Sequence, residues 1–394
     1  MKRKILLIIT VILAVVLVFS GCGLTHVYLP SRNISDSGGI QASGNTSDSD
    51  NIIVIEPAIQ SQVSESYGVN FTESKTRAMS NFMLENRYIH SGNTLFGQRH
   101  SSDGSSNLSV MKFSAVKAGM YVRETEIIEQ DIDARFLALK DGYLYYLRED
   151  NKTHETAIMR MSVEKGAEYN SQPLYRGSCD SLAVRGDKIY FNDGDYHLMS
   201  MNLDGTNLTQ VFADKAVYYP YFISDSVILF QDDQDGETLH LRYIPTGYEM
   251  RISQGRTYEY VISGHYLYFP ECVSNENDMA EMIRVNLNEF FENFNPDDPP
   301  EGFVFTREES PLYMGTRFCV NGDRINASNY KTVPLEDWKS LSDDQYEVGY
   351  KSACQYVSEN FEIFFNYNDD GLIDKVLFYE PAEKRPSYIE LKAD

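Results

Sequence analysis

Aspartates recur where polar turns are expected: Asp150, Asp193 with Asp195, Asp232, Asp233 and Asp235, Asp278, and Asp369 with Asp370, joined by Glu149 and Glu276. Grouped carboxylates attract cations or a basic partner, and two of them facing across a cleft can carry out acid–base work on a glycosidic bond. Such partners would come from distant parts of the chain, so spacing does not decide that chemistry. The run from Asn366 to Asp374 places Asn366, Asn368, Asp370 and Asp374 at positions 1, 3, 5 and 9 of a calcium loop, with Gly371 at position 6. Position 12 is Leu377 where a bidentate Glu belongs, and a hairpin turn explains the same residues. Calcium is the one cofactor the residues suggest.

Other chemistry is poorly represented. No G-x-S-x-G, H-E-x-x-H or phosphate-binding P-loop occurs, and the seven histidines show no ligand spacing. Ser114-Ala115-Val116-Lys117 and Ser162-Val163-Glu164-Lys165 fit S-x-x-K, but both fall in expected strands or hairpins, where that nucleophile motif needs a helix. Beyond Cys22, four cysteines remain, Cys179, Cys272, Cys319 and Cys354, without a C-x-x-C metal knuckle. They read as small buried apolar residues; if any pair bridges, Cys319 and Cys354, ahead of neighbouring repeats, are the pair expected.

The elements that hold these residues follow from composition and repetition. The chain has 394 residues, 13% aromatic and 24% charged, with 58 acidic against 35 basic side chains. That is too polar for a multispanning membrane protein and too aromatic for disorder. Lys2, Arg3 and Lys4 precede an apolar run from Ile5 to Phe19, too short for a permanent span and suited to a signal peptide over residues 1–21. Val18-Phe19-Ser20-Gly21-Cys22 resembles the lipobox of bacterial lipoproteins, which implies acylation of Cys22 and an extracytoplasmic protein on the membrane of a bacterium, expected to be Gram-positive. Phe19 stands where that motif most often has Leu. Residues 22–50 continue as a polar tether, and folding is expected from Asn51 to residue 394. Without the leader, 32 basic residues face 58 acidic ones, a net charge of −26 that disfavours nucleic acid as a partner.

Past the tether one phrase recurs, a polar turn followed by an aliphatic residue and aromatics, as in Asp141-Gly142-Tyr143-Leu144-Tyr145-Tyr146 and Gly186-Asp187-Lys188-Ile189-Tyr190-Phe191. Its anchors, Leu95, Leu144, Ile189, Ile228, Leu267, Ile325 and Ile363, are 49, 45, 39, 39, 58 and 38 residues apart, near the length of a four-stranded propeller blade. The clearest unit gives strands over 181–184, 188–191, 196–202 and 208–212, closed by an Asp204-Gly205 hairpin. Around Leu198 to Asn207 the chain resembles bacterial surface proteins with a propeller domain of unknown function, similar in pattern to TolB-type and low-density-lipoprotein-receptor propellers. The resemblance covers roughly residues 135–270 and implies an all-β propeller but no reaction. Seven blades are expected, with six as the alternative; the sixth is obscured by an expected helical insert at Pro334 to Trp338.

In such a blade the loop between second and third strands shares a face with the crossover to the next blade. The aspartates above fall in those loops, so they are either solvated hairpin tips or a face that draws cations or a basic partner. Three functions compete. One is a noncatalytic, monomeric recognition or scaffolding module holding an envelope protein or peptide. The second is a binder of a small molecule, sugar or cation in the axial opening. The third is a carboxylate-based lyase or glycosidase. A channel lined by converging Asp, Glu, Tyr and His favours the enzyme, and one filled by Phe, Leu and Tyr favours recognition.

Overall fold

The computed structural model describes residues 69–100, 106–116, 119–164, 168–274, 279–314, 318–327, 332–340, 352–367, 373–380 and 385–387. The leader, Cys22, the tether and the expected start of folding therefore lie outside the described residues.

Aromatic and β-branched residues suit pleated surfaces buried on both faces, and the Gly, Asp and Asn between them suit tight turns. These segments form seven antiparallel sheets of strands consecutive in sequence; six are four-stranded, and the sixth shows three strands among the described residues. Their first strands are Tyr88–Ser91, Ile132–Lys140, Cys179–Arg185, Val217–Phe222, Val261–Ser263, Phe318–Asn321 and Ser352–Val357. Every anchor from Leu95 to Ile363 is the second residue of its blade's second strand, and all seven are fully buried.

The sheets make a ring. First strands touch between blades 1 and 2, 2 and 3, 3 and 4, 5 and 6, and 6 and 7. Blades 4 and 5 are joined by Tyr260, whose hydroxyl donates to Leu229 O at 3.0 Å. Blades 7 and 1 meet edge-on through Tyr88 and Phe365, ring centroids 6.0 Å apart, and through His90 and Tyr356. The expected all-β propeller of seven blades is thus observed. Among the described residues no strand is exchanged between the first and last blades, and they join by side-chain packing and by one helix.

That helix, α1 (Glu73–Met83), was not expected from the sequence. Thr72 caps it, with Oγ1 accepting from Lys75 N at 3.4 Å, and Glu73 pairs with Arg77 one turn later. Thr76, Met79, Ser80 and Met83, at helical spacing, are buried. They lie against the first strands of blades 5, 6 and 7, so α1 crosses the axis. Its buried polar groups serve strand backbone. Ser80 Oγ donates to Val320 O and accepts from Val320 N, both at 3.0 Å. Asn81 brackets Val357 in the same way, both bonds 2.8 Å. On the far side Phe82 meets Phe136 of blade 2 and Tyr221 of blade 4, each at 5.4 Å between ring centroids. Left-handed Glu85 and Asn86 then end the helix and turn the chain into blade 1.

Three departures from the sequence reading have local causes. The third strand of blade 3 begins at Leu198 rather than Tyr196, because Asp193 Oδ1 accepts from both Asp195 N and His197 N and keeps those residues in a loop. Its fourth strand shrinks to Thr209–Gln210, an edge on which Leu208 stays exposed. The long interval before Ile325 is filled by an insertion that begins with helix α2 (Asn288–Phe291) and reaches back to blade 4: Phe290 stacks on Tyr248, whose hydroxyl donates to Pro300 O at 2.8 Å. The expected insert of blade 6 is a helical turn over Leu335–Ser340 whose Trp338 is buried against Tyr268 and Arg284. No helix among the described residues is long and apolar enough to cross a membrane.

Candidate functional site

Asp150, Asp193 and Asp232 are each the last residue of the second strand, in blades 2, 3 and 4. Their side chains close the loops that follow. Asp150 Oδ1 accepts from Lys152 N and Thr153 N at 2.9 and 3.0 Å, and Asp232 Oδ1 accepts from Gln234 N at 3.0 Å. The backbone N–H groups of Thr153 and Lys152 hold Asp150 below the usual carboxylate range. The recurrence of Asp therefore has a folding cause, a side-chain turn repeated blade by blade. Asp195 and Asp233 are exposed loop residues. Asp278, Asp369, Asp370 and Asn368 lie outside the described residues. Asn366 and Asp374 are placed as backbone of strands Glu362–Tyr367 and Ile373–Glu380, paired as a hairpin.

Blade 4 carries a tighter constellation. Donor atoms of Asp232, His240 and Glu249 all lie within 4.8 Å of one another, a spacing a divalent ion could bridge. The protein supplies its own cation there, because Lys215 Nζ sits 2.7 Å from Asp232 and 2.9 Å from Glu249. His240 spans Glu249 at 2.9 Å and Asp235 at 3.0 Å, and Arg242 and Arg251 close the outside. Burial would raise the Glu249 carboxyl, but His240 and Lys215 outweigh it and hold Glu249 low. At Lys215 burial works the other way, and Asp232 and Glu249 overcome it and hold the ammonium high. The aspartate pattern pointed to Asp232 and Asp235. Lys215, His240 and Glu249 carried no signal in sequence, since strand pairing alone brings them together.

Toward the start of the first strands, an acid–arginine lattice joins the end of α1 to blade 2. Arg87 pairs with Asp133 at 2.8 Å and with Glu85, and Arg135 pairs with Glu149 at 2.9 Å and Asp133 at 3.4 Å. Burial would lower the Arg87 guanidinium, yet Asp133 and Glu85 more than offset it and hold it charged. Nearby, lost solvation raises Asp180 even though it reaches the surface, Arg135 opposing and Glu149 and Glu85 adding to the effect.

At the other end, where the first strands approach their hairpins, a cavity of about 120 Å³ remains beside α1. Leu139, Leu182, Val184, Phe222, Ala78 and Phe82 are among its walls, and its polar lining consists of Asn81, Asn86, Arg185 and three tyrosines. Among the described residues it is lined by no carboxylate, histidine, serine or cysteine. All four described cysteines are free thiols; Cys179, Cys319 and Cys354 are buried and Cys272 is half-buried. Burial pushes the Cys179 thiol up to about 12, which removes it as a nucleophile.

No family model and no curated protein matches the chain. Among solved structures, BamB from Moraxella catarrhalis is 10% identical over 77% of this chain and 85% of that one, with a TM-score of 0.42. A putative 6-phosphogluconolactonase from Bacteroides uniformis is 11% identical over 77% and 84%, with a TM-score of 0.37. A prolyl endopeptidase is 14% identical over 79% of this chain and 50% of that one, with a TM-score of 0.48. This chain thus spans half of the endopeptidase. The architecture rests on the sheet order and not on these likenesses.

Proposed function

We propose that the protein is a lipid-anchored, extracytoplasmic, monomeric propeller that serves as a noncatalytic recognition or scaffolding module for a protein or peptide of the cell envelope. One observation carries this reading: α1 crosses the axis, and among the described residues the cavity beside it is walled by apolar side chains, Asn81, Asn86, Arg185 and three tyrosines, without a carboxylate, histidine, serine or cysteine. The carboxylates of the opposite end are tied to Arg87 and Arg135, which suits a load-bearing lattice better than turnover. What remains for binding is the rim, where exposed Asp195 and Asp233 suit a basic segment. Anchoring rests on the Cys22 motif, since each buried methylene of an acyl chain contributes about 0.8 kcal/mol.

Two experiments test this. Cys22→Ala should move the protein from the membrane fraction to the soluble extracytoplasmic one, and unchanged fractionation defeats the anchor. A photo-crosslinker at the exposed position 234 should trap one defined envelope protein, and adding Asp195→Lys with Asp233→Lys to that variant should abolish the trap. Turnover of a glycoside or uronide that Asp180→Asn eliminates would instead establish a carboxylate enzyme. The apolar walls of the axial cavity favour a second reading, uptake of a small apolar molecule rather than a sugar or a cation. A small aromatic hydrocarbon probe that raises the melting temperature, and loses that effect in Ala183→Phe, would support it.

A further inference from the structure

Cys319 is the second residue of the first strand of blade 6, and Cys354 is the third residue of the first strand of blade 7. Those strands are neighbours in the ring. Both thiols belong to one small buried cluster with Leu84 and Val357. Cys354 Sγ donates to Tyr356 O and Asn326 Nδ2 donates to Cys319 Sγ, each at 3.7 Å. The other two thiols are elsewhere, Cys179 in blade 3 and Cys272 in blade 5.

We propose that Cys319 and Cys354 form a disulfide that staples blade 6 to blade 7. Among the described residues the staple falls where the ring has least to hold it: blade 6 shows three strands there, and the first and last blades share no strand. It would also close the stretch of chain between the two cysteines in the unfolded state and so remove conformations from the unfolded ensemble.

The chemistry needs an oxidant, a small disulfide such as oxidised glutathione or the disulfide of a thiol oxidoreductase. One cysteine loses its proton and attacks the oxidant's S–S bond, giving a mixed disulfide and one released thiolate. The second cysteine then displaces the remaining thiolate, so the Sγ–Sγ bond forms, two protons are lost, and the oxidant leaves as two thiols. Burial pushes the Cys354 thiol well up, so the attacking thiolate is scarce once the blades have closed. Oxidation therefore belongs to the folding stage, and the finished bond is shielded from reductants.

The test uses the protein unfolded, reduced, and refolded with reduced and oxidised glutathione, then alkylated and digested. The expected result is a peptide pair joined through Cys319 and Cys354, two hydrogens lighter than the reduced peptides, with Cys179 and Cys272 alkylated. The melting temperature should exceed that of protein refolded under reductant by on the order of 5 °C. Cys319→Ala and Cys354→Ala, each changed alone, should abolish that difference, and Cys179→Ala should preserve it. Protein already folded in the reduced state should oxidise at least tenfold more slowly than protein oxidised during refolding. Four alkylated cysteines after oxidative refolding, or a dominant cross-link through Cys179 or Cys272, would overturn the proposal.

Discussion

The Lys215 ammonium lies between the Asp232 and Glu249 carboxylates, whose donor atoms with those of His240 are spaced as a divalent cation could bridge. Removing one partner of such a group leaves opposite charge unpaired in partly buried surroundings, which costs far more than an exposed pair is worth. Lys215→Met should accordingly destabilise the protein by about 3 kcal/mol in urea unfolding. Lys215→Ala keeps the three donors and removes the resident cation. It is expected to acquire a zinc-dependent rise in melting temperature that the unaltered protein lacks, and an indifferent variant would show that the donors are misplaced for metal. Glu249 is held below its ordinary range, so its contribution is complete above the unfolded-state value of about 4.3 and is lost as pH falls through the lower folded value. Glu249→Gln should be less stable than the unaltered protein at neutral pH and should flatten the loss of stability on acidification.

At the scale of the element, α1 does what a shared strand would do in a ring closed by exchange. Asn81 matters most, because its amide satisfies both backbone groups of Val357, and truncation leaves a buried donor and acceptor unpaired. Asn81→Ala should cost about 2 to 3 kcal/mol, and hydrogen exchange should quicken first in blades 6 and 7. Uniform acceleration around the ring would mean that α1 is no clasp. The seam between blades 7 and 1 has its own pH dependence. His90 contacts the Tyr356 hydroxyl at 2.7 Å, and burial lowers its pKa, so the folded protein prefers the neutral ring. Stability from this site is complete above the unfolded value of about 6.5 and declines as pH falls below it toward the depressed folded value. His90→Gln should remove that slope below about pH 6.5 while the carboxylate transition at lower pH persists.

Over the whole molecule, a net charge of −23 before any processing sets a background of self-repulsion. Monovalent salt screens it within about 10 Å at 0.1 M, so the melting temperature should rise between 10 and 150 mM sodium chloride. A fall would mean that local pairs such as the Arg87 and Arg135 lattice dominate. Millimolar calcium should add a further rise if Asn366, Asn368, Asp370 and Asp374 bind it, and nothing beyond ionic strength if that segment is only a hairpin turn.

Much of the architecture was legible because it is local and repeated. An aliphatic residue one step inside the second strand, from Leu95 to Ile363, must be buried in every blade, and the turn before it needs residues that turn tightly; both demands leave a period in the chain. The aspartates were legible for the same reason, and in blades 2, 3 and 4 Asp150, Asp193 and Asp232 close their loops. Other features left no periodic trace. Ser80 and Asn81 interrupt the apolar stripe of α1, so the helix that crosses the axis reads as a polar stretch. Lys215, His240 and Glu249, like Cys319 and Cys354, meet only when strands pair and blades pack. Local chemistry in the sequence determined the repeating unit; the tertiary structure decided what stands at its axis and which distant side chains share a charge or a pair of thiols, because those energies exist only once the ring has closed.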